Sequence, residues 1–335
     1  MNEALTLEGR TAIVTGAGNG LGRAEARALA RAGAQVVLND LPGENDLPSA
    51  AVQTVADEIR ADGGQAVVCP GDVSEWQTGQ KLVSAALDAS GRLDILVNNA
   101  GLLRDRMVFS MSAEEWDLVI RVHLRGHFVT TRFATAYWRE QSKRASGPVY
   151  ARIVNTSSEA FLLGSPGQPN YAAAKAGIVA LTVTTARSCA RYGVQANVIC
   201  PRARTGMTAD LMGGPPDEAV DPLAPEHVAP LVVYLSGPAE GINGEVFVVH
   251  GGVAAVMQPA RIRATFLAAE HGSADGMWTL ESVHQALSPV FAGAPSPVGP
   301  VGPVGPAGPV GFACEDTLEL AAETIGFGTP GAGPQ

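Results

Sequence analysis

Two side chains in the sequence are typed and spaced for acid–base chemistry. Tyr171 and Lys175 stand four residues apart in a stretch, Asn170 to Tyr192, that reads as a helix. Positions i and i+4 project from one helix face. A phenol with a pKa of about 10 is a poor base at neutral pH, and a neighbouring ammonium favours its ionised form. Such a pair can take the proton of an alcohol while a hydride leaves the carbinol carbon, and in reverse the phenol serves as the acid. Ser158 closes the strand-like run Asn155-Thr-Ser-Ser158 and can donate to the developing alkoxide or carbonyl oxygen. Ser157 competes for that role, but spacing and strand-end alternation favour Ser158. By itself Tyr-x-x-x-Lys arises by chance on many helices. The strand-end serine and a glycine loop far upstream give it weight.

That loop is Thr15-Gly16-Ala17-Gly18-Asn19-Gly20-Leu21-Gly22, which follows the first strand-like run and opens the first helix. Glycines permit a tight turn and close backbone approach to a pyrophosphate, and a helix N-terminus supplies N–H donors. Asp40 lies 18 residues past Gly22 at the end of the next strand. A carboxylate there accepts from ribose hydroxyls and repels a 2′-phosphate. No arginine follows Gly18 or Asp40 closely enough to clamp such a phosphate. The expected cofactor is therefore NAD rather than NADP.

Short β-branched runs alternate with Ala-rich helical stretches to position these groups. Strands are predicted at 11–15, 35–38, 65–69, 93–97, 151–155, 194–199 and 245–249. Helices are predicted at 21–32, 50–61, 74–89 (capped by Ser74), 113–138 (capped by Ser112), 170–192 and 225–235. The strands are nearly continuous in apolar residues, as strands buried on both faces are. The expected fold is α/β: a doubly wound, seven-stranded parallel sheet, Rossmann-like, with helices on both faces. Residues 1–292 form the expected domain, with a core at 8–252 and a helical extension at 253–292. Residues 293–335 are rich in Pro and Gly, with glycine at every third position from Gly299 to Gly311. They are expected to be mostly disordered, the repeat being short for a triple helix. One short helix is possible near 316–324.

The formal charge of −10 argues against nucleic acid and against anionic membrane surfaces as partners. A small-molecule substrate is expected instead. The four cysteines, Cys69, Cys189, Cys200 and Cys314, lack metal-ligand spacing, so no metal is expected. Neither a signal peptide nor an apolar run of membrane-spanning length is evident, so a cytoplasmic location is expected.

Further motifs stand in order along the chain: Gly71-Asp72-Val73, Asn98-Asn99-Ala100-Gly101, and Ser158 thirteen residues before Tyr171. With the Thr-Gly-x-x-x-Gly-x-Gly loop and the Tyr-x-x-x-Lys pair, they make about 250 residues resemble the short-chain dehydrogenase/reductase family. Leu103-Arg-Asp-Arg106, Arg121-Val-His-Leu-Arg-Gly126 and Ala229-Pro-Leu-Val232 resemble its (3R)-hydroxyacyl-CoA dehydrogenase branch, found in peroxisomal multifunctional enzyme type 2 and bacterial relatives. The resemblance implies Ser158, Tyr171 and Lys175 as catalytic residues, with Tyr171 and Lys175 also touching the cofactor. It places Asp72 and Val73 near adenine, and Asn99, Ala100 and Gly101 behind the cofactor. It sets Thr205 against the nicotinamide amide. His123 stands where most members carry an asparagine that holds a relay water; a structural histidine is the alternative reading. Pro201-Arg202 replaces the usual Pro-Gly.

The implied activity is NAD-dependent oxidation of a secondary alcohol, or reduction of its ketone, on a 3-hydroxyacyl-CoA-like substrate. A hydroxysteroid dehydrogenase, a 3-oxoacyl reductase and a non-catalytic dinucleotide-binding protein are the alternatives. Arg104, Arg106, Arg202 and Arg204 are candidate anchors for an anionic substrate, and 207–222 is a candidate lid. A homodimer or homotetramer built through 113–138 and 170–192 is implied.

Overall fold

Strands buried on both faces should show two cores from one alternation, and the computed structural model has that pattern. It describes residues 6–208, 213–215, 220–237, 241–257, 265–272 and 277–291. Ala12, Val14, Val36, Leu38, Ile95, Val97 and Val154 enter one cluster with residues of helices α1 (Gly20–Arg31), α2 (Ala50–Ala61) and α8 (Ala229–Ser236). The intervening Ile13, Val37, Leu96 and Ile153 enter a second, with α3 (Trp76–Ser90), α5 (Gly126–Ala145) and α7 (Pro169–Cys189). The period of two in these strands thus carries alternate side chains to opposite layers. Trp138 fills the second layer and its indole N–H reaches the Leu93 carbonyl at 2.7 Å, so burial leaves no polar atom of that ring unpaired.

The sheet has strand order β3-β2-β1-β4-β5-β6-β7-β8. The strands are β1 (Thr11–Thr15), β2 (Gln35–Asn39), β3 (Gln65–Val68), β4 (Ile95–Asn98), β5 (Ala151–Thr156), β6 (Val194–Pro201), β7 (Val246–His250) and β8 (Val253–Val256). The seven expected strands pair in parallel, as in the β1–β4 register of Ala12 with Ile95. The eighth, not foreseen, turns back antiparallel on β7. The order reverses between β1 and β4, and in open parallel sheets a crevice opens beyond the strand ends at that point.

Two helix expectations need correction. The predicted 113–138 helix is interrupted. Here α4 (Ala113–Ile120) carries the Ser112 cap as a full capping box with Glu115. A π-helical turn, Arg121–Arg125, then separates it from α5. Ser74 does not cap α3, which begins at Trp76. Its amide and hydroxyl are instead taken by the Asp72 carboxylate at 2.8 and 2.7 Å. The remaining short helix is α6 (Ala160–Leu163). The described residues 265–272 and 277–291 belong to a second unit. Its described residues hold a 3-10 turn, Ala268–His271, and helix α9 (Leu280–Phe291). The expected tail at 293–335 and the possible helix near 316–324 lie outside the described residues. Among the described residues no helix is long and apolar enough to cross a membrane, and no cluster of side chains could hold a metal ion.

Candidate active site

The glycine loop is shaped by contacts that no side chain would survive. A Cβ on Gly22 would lie 2.1 Å from the Gly16 carbonyl oxygen, and one on Gly16 would lie 2.9 Å from the Ala100 Cα. Gly16 and Gly20 adopt φ values of 64° and 51°, a region open to glycine. Thr15 fastens the loop to the end of β4: its hydroxyl oxygen accepts from the amides of Asn99 (3.0 Å) and Ala100 (3.1 Å). The Asn99 side chain donates back to the carbonyls of Thr15 (3.2 Å) and Gly16 (3.3 Å). Asn99 therefore braces the loop as well as facing the crevice. Asn19 precedes α1 without a side-chain cap, so the first-turn amides remain donors aimed past the sheet edge. The bare cradle, its helix N-terminus and the acid at Asp40 fit a dinucleotide, the pyrophosphate against the loop. Asp40 accepts from the Gly18 amide at 2.7 Å and the Leu41 amide at 2.8 Å.

A cavity of about 730 Å³ runs from this loop to the ends of β5 and β6. Of the residues singled out from sequence, Gly16, Asn19, Gly20, Leu21, Asp40, Asn99, Ala100, Gly101, His123, Ser158, Tyr171, Lys175 and Thr205 all line it. Gly18 and Gly22 shape the loop without lining the cavity. Asp72 and Val73 do not line it either. Asp72 holds Ser74 and lies 3.4 Å from Arg121, while Val73 packs beneath Gly126.

On α7, Tyr171 and Lys175 do share one face. The Lys175 ammonium lies 5.2 Å from the Tyr171 ring centre and donates to the Thr156 carbonyl at 2.7 Å. Ser158 and Tyr171 line the cavity together, and the Ser158 hydroxyl eases ionisation of the phenol. His123 projects from the π turn onto Tyr171, edge to face, with ring centres 5.2 Å apart. Its Nε2 meets the Leu102 carbonyl at 2.7 Å and the Leu102 amide at 3.0 Å, donating to one or accepting from the other according to tautomer. A Cβ on Gly101 would strike this imidazole at 2.3 Å, so the turn after β4 and the π turn fit only with glycine at 101.

Burial, more than charge pairing, sets the resting protonation here. It pushes the Tyr171 phenol up to about 12, partly offset by the Ser158 hydroxyl. It pulls Lys175 down to about 7. The expected lowering of Tyr171 by Lys175 is thus outweighed by loss of water around the phenolate. The protonated phenol, a ready acid, is the resting form.

Several residues at and around the cavity have roles that the sequence did not announce. Glu159 and Arg202, both buried, form a two-pronged ion pair with N–O distances of 2.5 and 2.9 Å. Gln168 lines the cavity and donates to Asp105 at 2.8 Å. Asn170 is fully buried and donates to the carbonyls of Arg104 and Glu115 at 3.0 and 3.1 Å. It thereby anchors the start of α7 just before Tyr171. The arginines considered as substrate anchors are engaged within the chain. Arg106 bonds Glu115, Arg204 bonds Asp221, Arg202 bonds Glu159, and Arg104 donates to the Leu103 carbonyl. Much of the candidate lid, at 209–212 and 216–219, lies outside the described residues.

Comparison with known proteins gives concordant results. Residues 10–213 match the family model described as short chain dehydrogenase. The chain is 52% identical over 297 residues to hydroxyacyl-CoA dehydrogenase ChsB1 of Mycobacterium tuberculosis, covering 86% of this chain and 90% of that one. It is 43% identical over 255 residues to peroxisomal multifunctional enzyme type 2 of Mus musculus, of which it spans 33%. Among solved structures, a short chain dehydrogenase from Mycobacterium avium superposes with TM-score 0.77 at 42% identity, covering 88% of this chain and 98% of the other.

Proposed function

The chain belongs to the short-chain dehydrogenase family, an oxidoreductase of alcohol and ketone groups that uses a nicotinamide dinucleotide, and on that premise we propose that its substrate is a 3-hydroxyacyl-CoA and its cofactor NAD. The observation that carries the reading is the convergence of Ser158, Tyr171 and Lys175 on one cavity wall opposite the glycine loop. Bound there, the dinucleotide supplies the hydride acceptor or donor. The residues of the chain do the rest. Ser158 donates to the substrate oxygen and orients it toward Tyr171. In oxidation Tyr171 takes the hydroxyl proton; in reduction it returns one to the carbonyl oxygen. Lys175, when protonated, places its charge beside the phenol and favours the phenolate that oxidation requires. His123 packs the far edge of Tyr171 and fixes its ring. Asp40, held by two backbone amides, offers its carboxylate to the adenosine ribose and disfavours a 2′-phosphate, which supports NAD over NADP.

The acyl-CoA assignment is supported by the hydroxyacyl-CoA dehydrogenase named above, since that similarity covers nine-tenths of the relative's length. The test is absorbance of reduced dinucleotide with 3-hydroxybutyryl-CoA, a 17-hydroxysteroid and simple secondary alcohols, each offered NAD and NADP. Tyr171→Phe should cut turnover about 10²–10⁴-fold while dinucleotide binding persists. Turnover of the steroid but not of the acyl-CoA would replace the proposed substrate. Unchanged turnover in Tyr171→Phe would remove the assignment of the acid.

A further inference from the structure

The site contains a second polar feature beside the three reacting side chains, the buried ion pair of Glu159 and Arg202. Glu159 directly follows Ser158 and is 5% exposed; Arg202 follows Pro201 at the end of β6 and is 9% exposed. The two carboxylate oxygens meet two guanidinium nitrogens, Nε at 2.5 Å and Nη2 at 2.9 Å. Paired N–H···O bonds of this kind fix direction as well as distance. Both side chains line the cavity.

Each partner is tied to a part of the site that must be placed accurately. Glu159 is the pivot between β5 and the short helix α6. Its carbonyl accepts from the Leu162 and Leu163 amides at 2.9 and 3.1 Å, while the Ser158 hydroxyl accepts from the Ala160 amide at 3.2 Å. Arg202 opens the segment that carries Thr205, Met207 and Thr208 along the opposite wall. Its amide donates to the Val249 carbonyl at 3.0 Å, which anchors it to β7. His250, 4% exposed at the end of β7, lies within electrostatic reach of both charges. The pair thus spans the ends of three neighbouring strands on the side of the cavity where the substrate oxygen must sit.

We propose that Glu159 and Arg202 are positioning residues: a buried clasp that locks the Ser158 turn to the 202–208 wall and so sets the distance from serine and phenol to the reacting carbon. Removing Arg202 leaves the Glu159 carboxylate buried without its guanidinium, and removing the Glu159 charge loosens the fixed direction of Arg202; either change lets a segment shift. A displacement of about 1 Å at a reacting group costs roughly 10²-fold in rate. The glycine loop and Asp40 keep their own contacts, while Thr205 of the 202–208 wall packs against Gly20. The clasp therefore acts chiefly on turnover, with a smaller effect on dinucleotide affinity through Thr205.

The experiment compares wild type with Glu159→Gln, Arg202→Met, Arg202→Lys and the Glu159→Gln/Arg202→Met double variant. For each, kcat, KM, dinucleotide Kd by fluorescence, and the primary deuterium isotope effect are measured with the secondary alcohol that wild type oxidises fastest. The clasp predicts that each single loss lowers kcat about 100-fold, with Kd weakened less than about tenfold. The isotope effect on kcat should rise as hydride transfer becomes limiting. The double variant should be no worse than the poorer single, and Arg202→Lys should recover part of the loss. Wild-type kcat and isotope effect in a folded Arg202→Met protein, or additive losses in the double variant, would overturn it. A merely structural pair would lower the melting temperature and leave kcat per folded molecule intact. Should Arg202→Met not fold, the isosteric Glu159→Gln reads the same quantities. The inference rests on the alcohol–ketone reading of the site and not on the acyl group. Wild type idle on 3-hydroxybutyryl-CoA but active on another alcohol would refute the proposed substrate and leave the clasp to be judged on its own variants.

Discussion

Glu25 offers a measurable consequence of burying an acid without a partner. It sits on the inner face of α1 with Ala26 and Leu29, is 0% exposed, and neither carboxyl oxygen has a hydrogen-bond partner. Burial pushes its pKa from 4.5 to about 8, so the folded chain holds this carboxyl protonated at neutral pH. The unfolded chain ionises it above about 4.5. A raised acid pKa means that the folded state binds the proton more tightly. Its stabilising share is present below the unfolded value and is lost as pH rises through the folded one. At 1.36 kcal/mol per pH unit, the linkage costs roughly 3 kcal/mol at pH 7 relative to an uncharged side chain. Glu25→Met keeps an unbranched side chain of similar length and removes the titration. Urea or thermal unfolding of both proteins at pH 5, 6, 7 and 8 isolates this group, because the other titrations cancel in the difference. The variant should be the more stable protein. Its advantage should widen by about 3 kcal/mol between pH 5 and pH 8 and then level off. A difference that stays flat over this range would show that Glu25 is hydrated or paired, and the reasoning would fail.

Asp40→Ser removes the carboxylate offered to the ribose; NAD should bind about 10–100-fold more weakly by titration, and the NADP-to-NAD ratio of kcat/KM should rise by a similar factor. Gly22→Ala inserts a methyl 2.1 Å from the Gly16 carbonyl; calorimetry should show a loss of roughly 1–3 kcal/mol, with dinucleotide binding weakened in parallel. Lys175, pulled down to about 7 by burial, has the opposite sign from Glu25. The unfolded chain holds more protons between pH 7 and 10, so wild type should gain stability on Lys175→Met across that range. Melts at pH 7 and 9 that shift equally in both proteins would contradict this.

Local chemistry was legible in the sequence where a motif lies within one turn or one helix. The glycine loop and the Tyr171/Lys175 pair declare themselves because their partners are only a few residues away. Seven strands were legible because β-branched runs on two buried faces leave few alternatives. The π turn at Arg121–Arg125 was not. One extra residue in a turn leaves composition untouched and only shifts the helical phase, so His123 read as a residue of a straight helix. Glu159 and Arg202, 43 residues apart, meet because β5 and β6 are neighbours, and no local pattern announces such a meeting. The depth to which Tyr171 is buried was illegible for a related reason. Proximity to an ammonium can be read from spacing, whereas the depth of desolvation depends on what packs around both groups.

The Thr15 hydroxyl ties the glycine loop to the end of β4. One oxygen receives the amides of two successive residues from the end of β4, so the floor under the dinucleotide is assembled when the sheet forms. Loop-ordering entropy on that side is settled during folding and is not charged again at capture. The encounter with the dinucleotide then meets a finished surface.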